Sequence, residues 1–288
     1  MPSGKGVVGV IGGSGLYQIA GLKRVREIRL NTPFGRPSAA YVRGTLDGTE
    51  LVFLPRHGKG HRWLPTELNF RANIFGMKKL GVERIISVSA VGSLRKGIAP
   101  GHVVVPDQFI DRTTQRHSTF FGNGIVAHVS LADPLCLVLS KALIRGGEDV
   151  GAKIHTGGTY LCMEGPQFST RAESNLYRSW GADVIGMTNL QEAKLAREAE
   201  ICFATLALAT DYDCWNQKAS DVKIAEVLAI LKANVLRAQQ IIRKALGHLP
   251  PARSCDCTIA LKDAIVTDKR MIPKTICKHL NLIIGKYL

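Results

Sequence analysis

Two acids two residues apart, Asp211 and Asp213, close the apolar run Ile201 to Ala209. The run is short and free of Gly and Pro, so it reads as a fully buried strand in a sheet covered on both faces. If the strand continues, a period of two puts both carboxylates on one face at its carboxyl end, where open α/β sheets bind ligands. A paired-acid site is expected there, and the competing reading is a solvated turn with an N-cap acid for the next helix. A second cluster follows the apolar run Leu51 to Leu54: Pro55-Arg56-His57-Gly58-Lys59-Gly60-His61-Arg62. The planar fork of Arg matches phosphate oxygens, and His adds a further hydrogen bond. His57 and His61 are four apart, but the intervening glycines argue against a helix and no acidic third ligand is near, so anion binding ranks above metal binding.

Two more turns at strand ends suit an anion. Val7 to Ile11 flows into Gly12-Gly13-Ser14-Gly15-Leu16, and Ile85 to Val91 runs into Ser89-Ala90-Val91-Gly92-Ser93. Small residues let backbone N–H groups approach an anion, although neither the dinucleotide fingerprint nor the P-loop spacing is present. Each turn alone carries a weak signal whose commonest meaning is structural.

The elements that must position these groups alternate. Helical spacing marks Leu68 to Leu80, with Leu68, Ala72, Phe75 and Met77 as its apolar face, and further helices are predicted over Pro134 to Ile144, Asn189 to Ala199 and Val222 to Leu246. Thr170 to Glu173 supplies a capping-box helix start after the strand Gly158 to Met163. Short strands succeed one another in the first half, and strands alternate with helices in the second. The expectation is a single α/β domain, a mixed sheet flanked by helices, over residues 1–250, ended by Pro250-Pro251. Residues 251–288 read as a basic C-terminal extension.

The 288 residues are 45% hydrophobic and carry a formal charge of +15, which excludes disorder and suggests an anionic ligand or a nucleic-acid surface. The basic residues are spread along the chain, aromatics are only 6%, and no nucleic-acid motif is present, so small anions fit at least as well. With no signal peptide and no membrane-length apolar run, the chain reads as soluble and cytoplasmic. Its seven cysteines would then be reduced thiols. Cys255-Asp256-Cys257 resists that reading: the pair is too close for ordinary zinc ligands and lacks a second pair, which leaves a strained disulfide or two exposed thiols.

The motifs IGGSGL, PRHGKGH, SAVGSL, EGPQFSTRAES, DVIGMT and ATDYDCW, in this order and with these separations, resemble the 5′-methylthioadenosine phosphorylases of the trimeric purine nucleoside phosphorylase family. The resemblance runs from about Val7 through Leu246. It implies a nucleoside phosphorylase fold with a partly barrel-like sheet, and phosphate-dependent cleavage of an N-glycosidic bond in purine and methionine salvage. Inorganic phosphate would be a co-substrate, and neither cofactor nor metal would be needed. By this resemblance Ser14, Arg56, His57, the Ala90 N–H and Thr188 bind phosphate. Phe168 contacts the purine, Met187 lies against the ribose, and Ile224 and Val227 line the 5′ pocket, with His128 reaching in from a neighbouring subunit. Asp211 would serve purine N7 through a carboxyl raised by burial or by its acidic neighbour, and Asp213 the 6-amino group. Relatives acting on 6-oxopurines carry Asn at the Asp211 position, so the acid pair favours adenine over the alternative, a 6-oxopurine nucleoside or methylthioinosine phosphorylase. The resemblance also implies a homotrimer or dimer of trimers and a Cys136–Cys202 disulfide. It departs at Gln167 and Gln191. A non-enzymatic nucleic-acid-binding protein is the reading that charge alone would support.

Overall fold

The computed structural model describes residues 4–13, 15–216 and 224–288, with backbone alone over 224–229. Its axis is β5 (Val82–Ser93), which pairs in parallel with β1 (Val7–Gly12) on one side and with β11 (Cys202–Asp211) on the other. Beyond β1 lie β4 (Thr49–Pro55), β3 (Tyr41–Leu46) and β2 (Lys23–Ile28). At the far end of β5 the sheet branches: β10 (Val184–Gly186) runs antiparallel to it, pairing Val184 with Ser93 and Ile185 with Gly92. β9 (Thr159–Met163) and β7 (Gln108–Arg112) continue that branch in parallel with β10. β6 (Val103–Val105) and β8 (Ile154–Thr156) extend from β11. The sheet is therefore mixed. Because the branches meet head to head, the carboxyl ends of β1, β4 and β11 and that of β10 converge on the second half of β5.

The apolar run Ile201 to Ala209 is buried throughout, as its composition predicts. Alternate residues serve opposite layers. Ala204, Leu206 and Leu208 pack with α2 (Leu137–Asp149) and α5 (Ile224–His248). Ile201 and Phe203 face a second core built on α1 (Phe70–Lys79), α4 (Asn189–Glu198) and α6 (Lys274–Ile284). The remaining helix, α3 (Arg171–Ser179), starts on the predicted capping box: Thr170 accepts from the Glu173 N–H, and the Glu173 carboxylate answers the Thr170 N–H at 2.7 Å. Among the described residues no helix is long and apolar enough to cross a membrane.

α2 and α5 cross closely at Gly146, where a Cβ would lie 2.7 Å from both Ile241 O and Ala245 N. Ala gains about 1 kcal/mol of helix propensity over Gly, but overpacking against rigid backbone costs about 1–3 kcal/mol. Gly146→Ala is thus expected to lower stability by up to about 2 kcal/mol in thermal melts, the reverse of the usual Gly-to-Ala result in a helix.

Two regions add to the sequence expectation. β2 and β3 carry no strong apolar pattern: β2 is an edge strand, exposed along most of its length and studded with Lys and Arg, which block edge-to-edge pairing. Their neighbour β4 follows β3 through Asp47 (φ 47°) and Gly48 (φ 80°), a two-residue hairpin turn that Asp-Gly favours. The C-terminal extension packs on its own chain: Leu261, Leu280, Ile283 and Ile284 are buried in the core beside α1 and α4. Glu200 ties it down, accepting from the Leu261 N–H at 3.2 Å and from Tyr287, and pairing with Lys286 at 2.6 Å. All seven cysteines are free, so the Cys136–Cys202 disulfide implied by resemblance is not present; the Cys255 sulfur lies 3.3 Å from that of Cys202.

At the end of α4, Glu198 accepts from Thr119 Oγ1 and the Phe120 N–H, both at 2.7 Å, and burial pushes its carboxyl up to about 7. A raised folded-state pKa means that the native protein holds a proton the unfolded chain releases from about pH 4.5 upward. That stability is fully present below about pH 4.5 and is lost as pH rises through 7. Glu198→Gln should therefore match the wild type near pH 5 and exceed it by about 1–3 kcal/mol at pH 8 in denaturant unfolding.

Candidate active site

The last residues of β5 act as a rail along which the candidate groups are laid. At its inner end the Arg56 N–H donates to Gly12 O at 2.9 Å, joining the turns after β4 and β1. The Arg56 side chain is buried. Its Nε donates to Glu192 Oε1 at 2.5 Å, Nη2 to Glu192 Oε2 at 3.0 Å and to Ser87 Oγ at 2.6 Å, and Nη1 to Val88 O at 2.9 Å. A guanidinium has five N–H donors, so four are spent on the protein and one on Nη1 remains. Ser87 passes its own proton to Glu192 at 2.7 Å and accepts from Asn189 Nδ2, whose Oδ1 accepts from Thr205. This buried network fixes α4 against β5, and Glu192, Asn189 and Ser87 went unnoticed as site residues in the sequence. The one available signal was an acid in the first turn of a predicted helix following the DVIGMT motif.

Thr188 is the N-cap of α4, buried, with no side-chain bond to the helix, so the first amides of α4 lack a capping side chain. Ala90 sits on β5 two residues past Val88 and is exposed. His57 stacks on His61 with ring centroids 4.2 Å apart, and its Nδ1 lies 2.8 Å from Trp63 O. A carbonyl only accepts, so Nδ1 carries the proton and Nε2 keeps a lone pair. Burial, with the Arg56 charge adding to it, holds the imidazole down to about 4, so it is neutral at pH 7. Ser14 lies outside the described residues.

At the outer end of the rail β11 stops at Asp211, after a register shift that pairs Ala209 with Val91 and Asp211 with Gly92. The strand does not continue to Asp213. That residue opens a single 3-10 turn, Asp213–Trp215, at φ 47°, and its N–H donates to Asp211 Oδ1 at 2.8 Å. The two carboxyls are thus brought together by a turn, not by the period of a strand. Thr210 Oγ1 donates to Asp211 Oδ2 at 2.7 Å, so both Asp211 oxygens are held as acceptors. The raised carboxyl is that of Asp213: burial is the main cause, with the Asp211 charge reinforcing it, and the nearby Ser174 hydroxyl opposes it in part. Asp213 Oδ2 is buried with no hydrogen-bond partner. Gly92 leaves room for this pair, since a Cβ there would come within 3.1 Å of Asp211 Oδ1 and 3.3 Å of Asp213 Cβ.

Above the rail, Arg116 clamps the ends of β9 and β10. It bonds Met187 O, Glu164 O and Gln191 Oε1, and pairs with the Glu164 carboxylate at 3.3 Å. Gln191, one of the departures from the family pattern, also donates to Thr113 Oγ1 at 2.8 Å, so it braces this loop. Met187 packs its sulfur over Gly165, where a Cβ would lie 2.6 Å away. Phe168 is 83% exposed, in a loop held to the Asp213 turn by Cys214 Sγ donating to Ser169 O at 3.2 Å. His128 is exposed on the far segment, its N–H bonded to Ala264 O of the C-terminal extension, and no contact joins it to the carboxylates. Ile224 and Val227 fall on the first turns of α5, and their side chains lie outside the described residues.

The sequence model described as the phosphorylase superfamily matches residues 7–247. This chain belongs to the phosphorylase superfamily. Among its phosphorylase relatives, the S-methyl-5′-thioadenosine phosphorylase of Geobacter sulfurreducens is 62% identical over 98% of this chain and 99% of its own length. That of Koribacter versatilis is 58% identical over 97% of this chain and 96% of its own. In three dimensions, a methylthioadenosine phosphorylase from an antarctic soil metagenomic library superposes with a TM-score of 0.92 at 47% identity, covering 96% of this chain and 98% of that one. The methylthioadenosine phosphorylase of Schistosoma mansoni does so with a TM-score of 0.80 at 34% identity, covering 88% and 95%. The superfamily match ends at 247, within the last turn of α5, so the extension that packs on α1 and α4 lies beyond it.

Proposed function

We propose that this phosphorylase cleaves the N-glycosidic bond of 5′-methylthioadenosine with inorganic phosphate, giving adenine and 5-methylthioribose 1-phosphate. The observation that carries the proposal is the acid pair at the end of β11, with both oxygens of Asp211 accepting and the buried Asp213 carboxyl raised. An acceptor-only carboxylate suits a 6-amino purine, and the acid beside it, whose raised carboxyl holds a proton more readily, is placed to supply the proton that purine N7 takes as the base departs. In the reaction a phosphate oxygen forms a bond to C1′ while the C1′–N9 bond breaks, and the electron pair leaves with the purine. The remaining Arg56 N–H, the amides at Thr188 and Ala90, and Ser14 hold phosphate beneath C1′. Neutral His57, with a free Nε2, accepts from the hydroxyl of hydrogen phosphate. Met187 and Phe168 cover the oxocarbenium-like transition state from water, and Ile224 and Val227 receive the methylthio group. No cofactor enters this scheme.

His128 has no role within its own protomer in this scheme. A homotrimer or dimer of trimers, in which it reaches a neighbour's 5′ pocket, completes the site. We place the enzyme in the cytoplasm, with nucleoside and phosphate as its partners and not nucleic acid. Chromatography of purified protein incubated with methylthioadenosine tests the whole reading. Adenine should appear only when phosphate is present, with little hypoxanthine from inosine in parallel. Release without phosphate would mean a hydrolase, and preference for inosine would overturn the role given to Asp211 and Asp213.

A further inference from the structure

Four cysteines that the proposed reaction does not use lie together at the opposite end of β11. Cys136 caps the N-terminus of α2, Cys202 opens β11, and Cys255 and Cys257 flank Asp256 at the start of a 3-10 turn in the extension. Their four sulfurs all lie within 4.8 Å of one another. Cys202 and Cys255 are 3.3 Å apart, and Cys136 and Cys255 3.7 Å. A tetrahedral ion bound at a metal–sulfur distance of about 2.3 Å sets its ligands about 3.8 Å apart, whereas a disulfide brings two sulfurs to about 2.05 Å. The cluster therefore has the spacing of a tetrahedron's edges. On spacing alone Cys-Asp-Cys argued against zinc because it lacked a second pair; the fold supplies that pair from 53 and 119 residues away.

The surroundings suit a charged thiolate centre. Three of the four side chains are buried, and Arg197 Nη1 donates to Cys257 Sγ at 3.9 Å, a cation placed to offset the excess negative charge of four thiolates on one divalent ion. A cleft of about 600 Å³, lined by Cys136, Cys255, Cys257, Asp133 and Lys262, opens onto the sulfurs and gives an ion its way in.

We propose that Cys136, Cys202, Cys255 and Cys257 form a tetrathiolate site for zinc, fastening the C-terminal extension to α2 and to the start of β11. Four S–H bonds break, four zinc–sulfur bonds form and four protons leave to solvent, with no change in the oxidation state of metal or sulfur. Soft thiolate ligands favour zinc over magnesium or calcium, and because protons are released, affinity rises with pH.

Elemental analysis of the full-length protein, purified without chelator, should find about one zinc per chain, released when a mercurial reagent titrates the thiols. Metal-free protein given cobalt(II) should develop the absorption of a tetrahedral cobalt thiolate. Cys255→Ser should lose the metal, and Cys277→Ser, outside the cluster, should keep it. If Cys255→Ser fails to fold, zinc content and the cobalt spectrum of the wild type still decide. A metal-free protein with no cobalt thiolate band, or an unreduced mass short by two hydrogens for each disulfide, would overturn the site.

Discussion

Arg56→Met loses about 3–5 kcal/mol of stability, because Glu192 is then left as a buried charge without its partner. It also loses phosphate-dependent turnover, and these two losses can be separated. Replacing both residues, Arg56→Met with Glu192→Met, removes the buried charges together, so chemical denaturation should show much of the lost stability restored. Turnover should not return, since the N–H left on Nη1 for phosphate is gone in both variants. Arg56→Lys keeps the charge but gives up the fork that meets Glu192 and Ser87 at once, and should fall between wild type and Met on both measures. If the double variant recovers phosphorolysis along with stability, Arg56 serves only to position α4.

Asp211→Asn is expected to lower kcat/KM for methylthioadenosine by about 10- to 10²-fold, the cost of losing a hydrogen bond from the 6-amino group to a charged acceptor. The same change should raise activity on inosine relative to methylthioadenosine, because an amide donates to a 6-oxo group where a carboxylate cannot. The fold should tolerate it: the Asp213 N–H can still donate to the Asn carbonyl, Thr210 Oγ1 can accept from the amide while donating to Val91 O, and no buried cation loses a partner. Asp213→Asn separates the two acids. Its raised carboxyl titrates as pH rises, so the wild type should lose rate on the alkaline side and the Asn variant should lack that limb. Steady-state kinetics on both substrates across pH checks all of this. An unchanged ratio of inosine to methylthioadenosine activity would remove Asp211 from base recognition.

Much of this molecule was legible in its sequence where local rules and tertiary demands agree. Ile201 to Ala209 is buried on both faces and reads as such, and the Thr170 box starts α3 where its residues predict. The acid pair and the Arg56 cluster stand out because charges at the ends of apolar strands have few other reasons to be there. What could not be read is what long-range packing decides. Nothing in the sequence says that Glu192 consumes two of the Arg56 donors, that Arg116 joins two strand ends, or that Cys136 and Cys202 meet Cys255 and Cys257. α6 lies in a stretch that read only as a basic extension, because its buried residues match a surface that β11 and α4 complete. The β3–β4 hairpin, by contrast, carried an Asp-Gly signal that was readable.

The register shift after Ala209 has a consequence for how this enzyme can change over evolutionary time. Up to Ala209, β11 is bound into the sheet and packed on both faces, so few substitutions are tolerated. Beyond the shift the ladder makes one more pair, Asp211 with Gly92, and Asp213–Trp215 leave the sheet in a 3-10 turn. The acids proposed to read the base can therefore change with little effect on the buried strand behind them. A lineage can exchange one purine for another through a handful of codons at the end of a single strand.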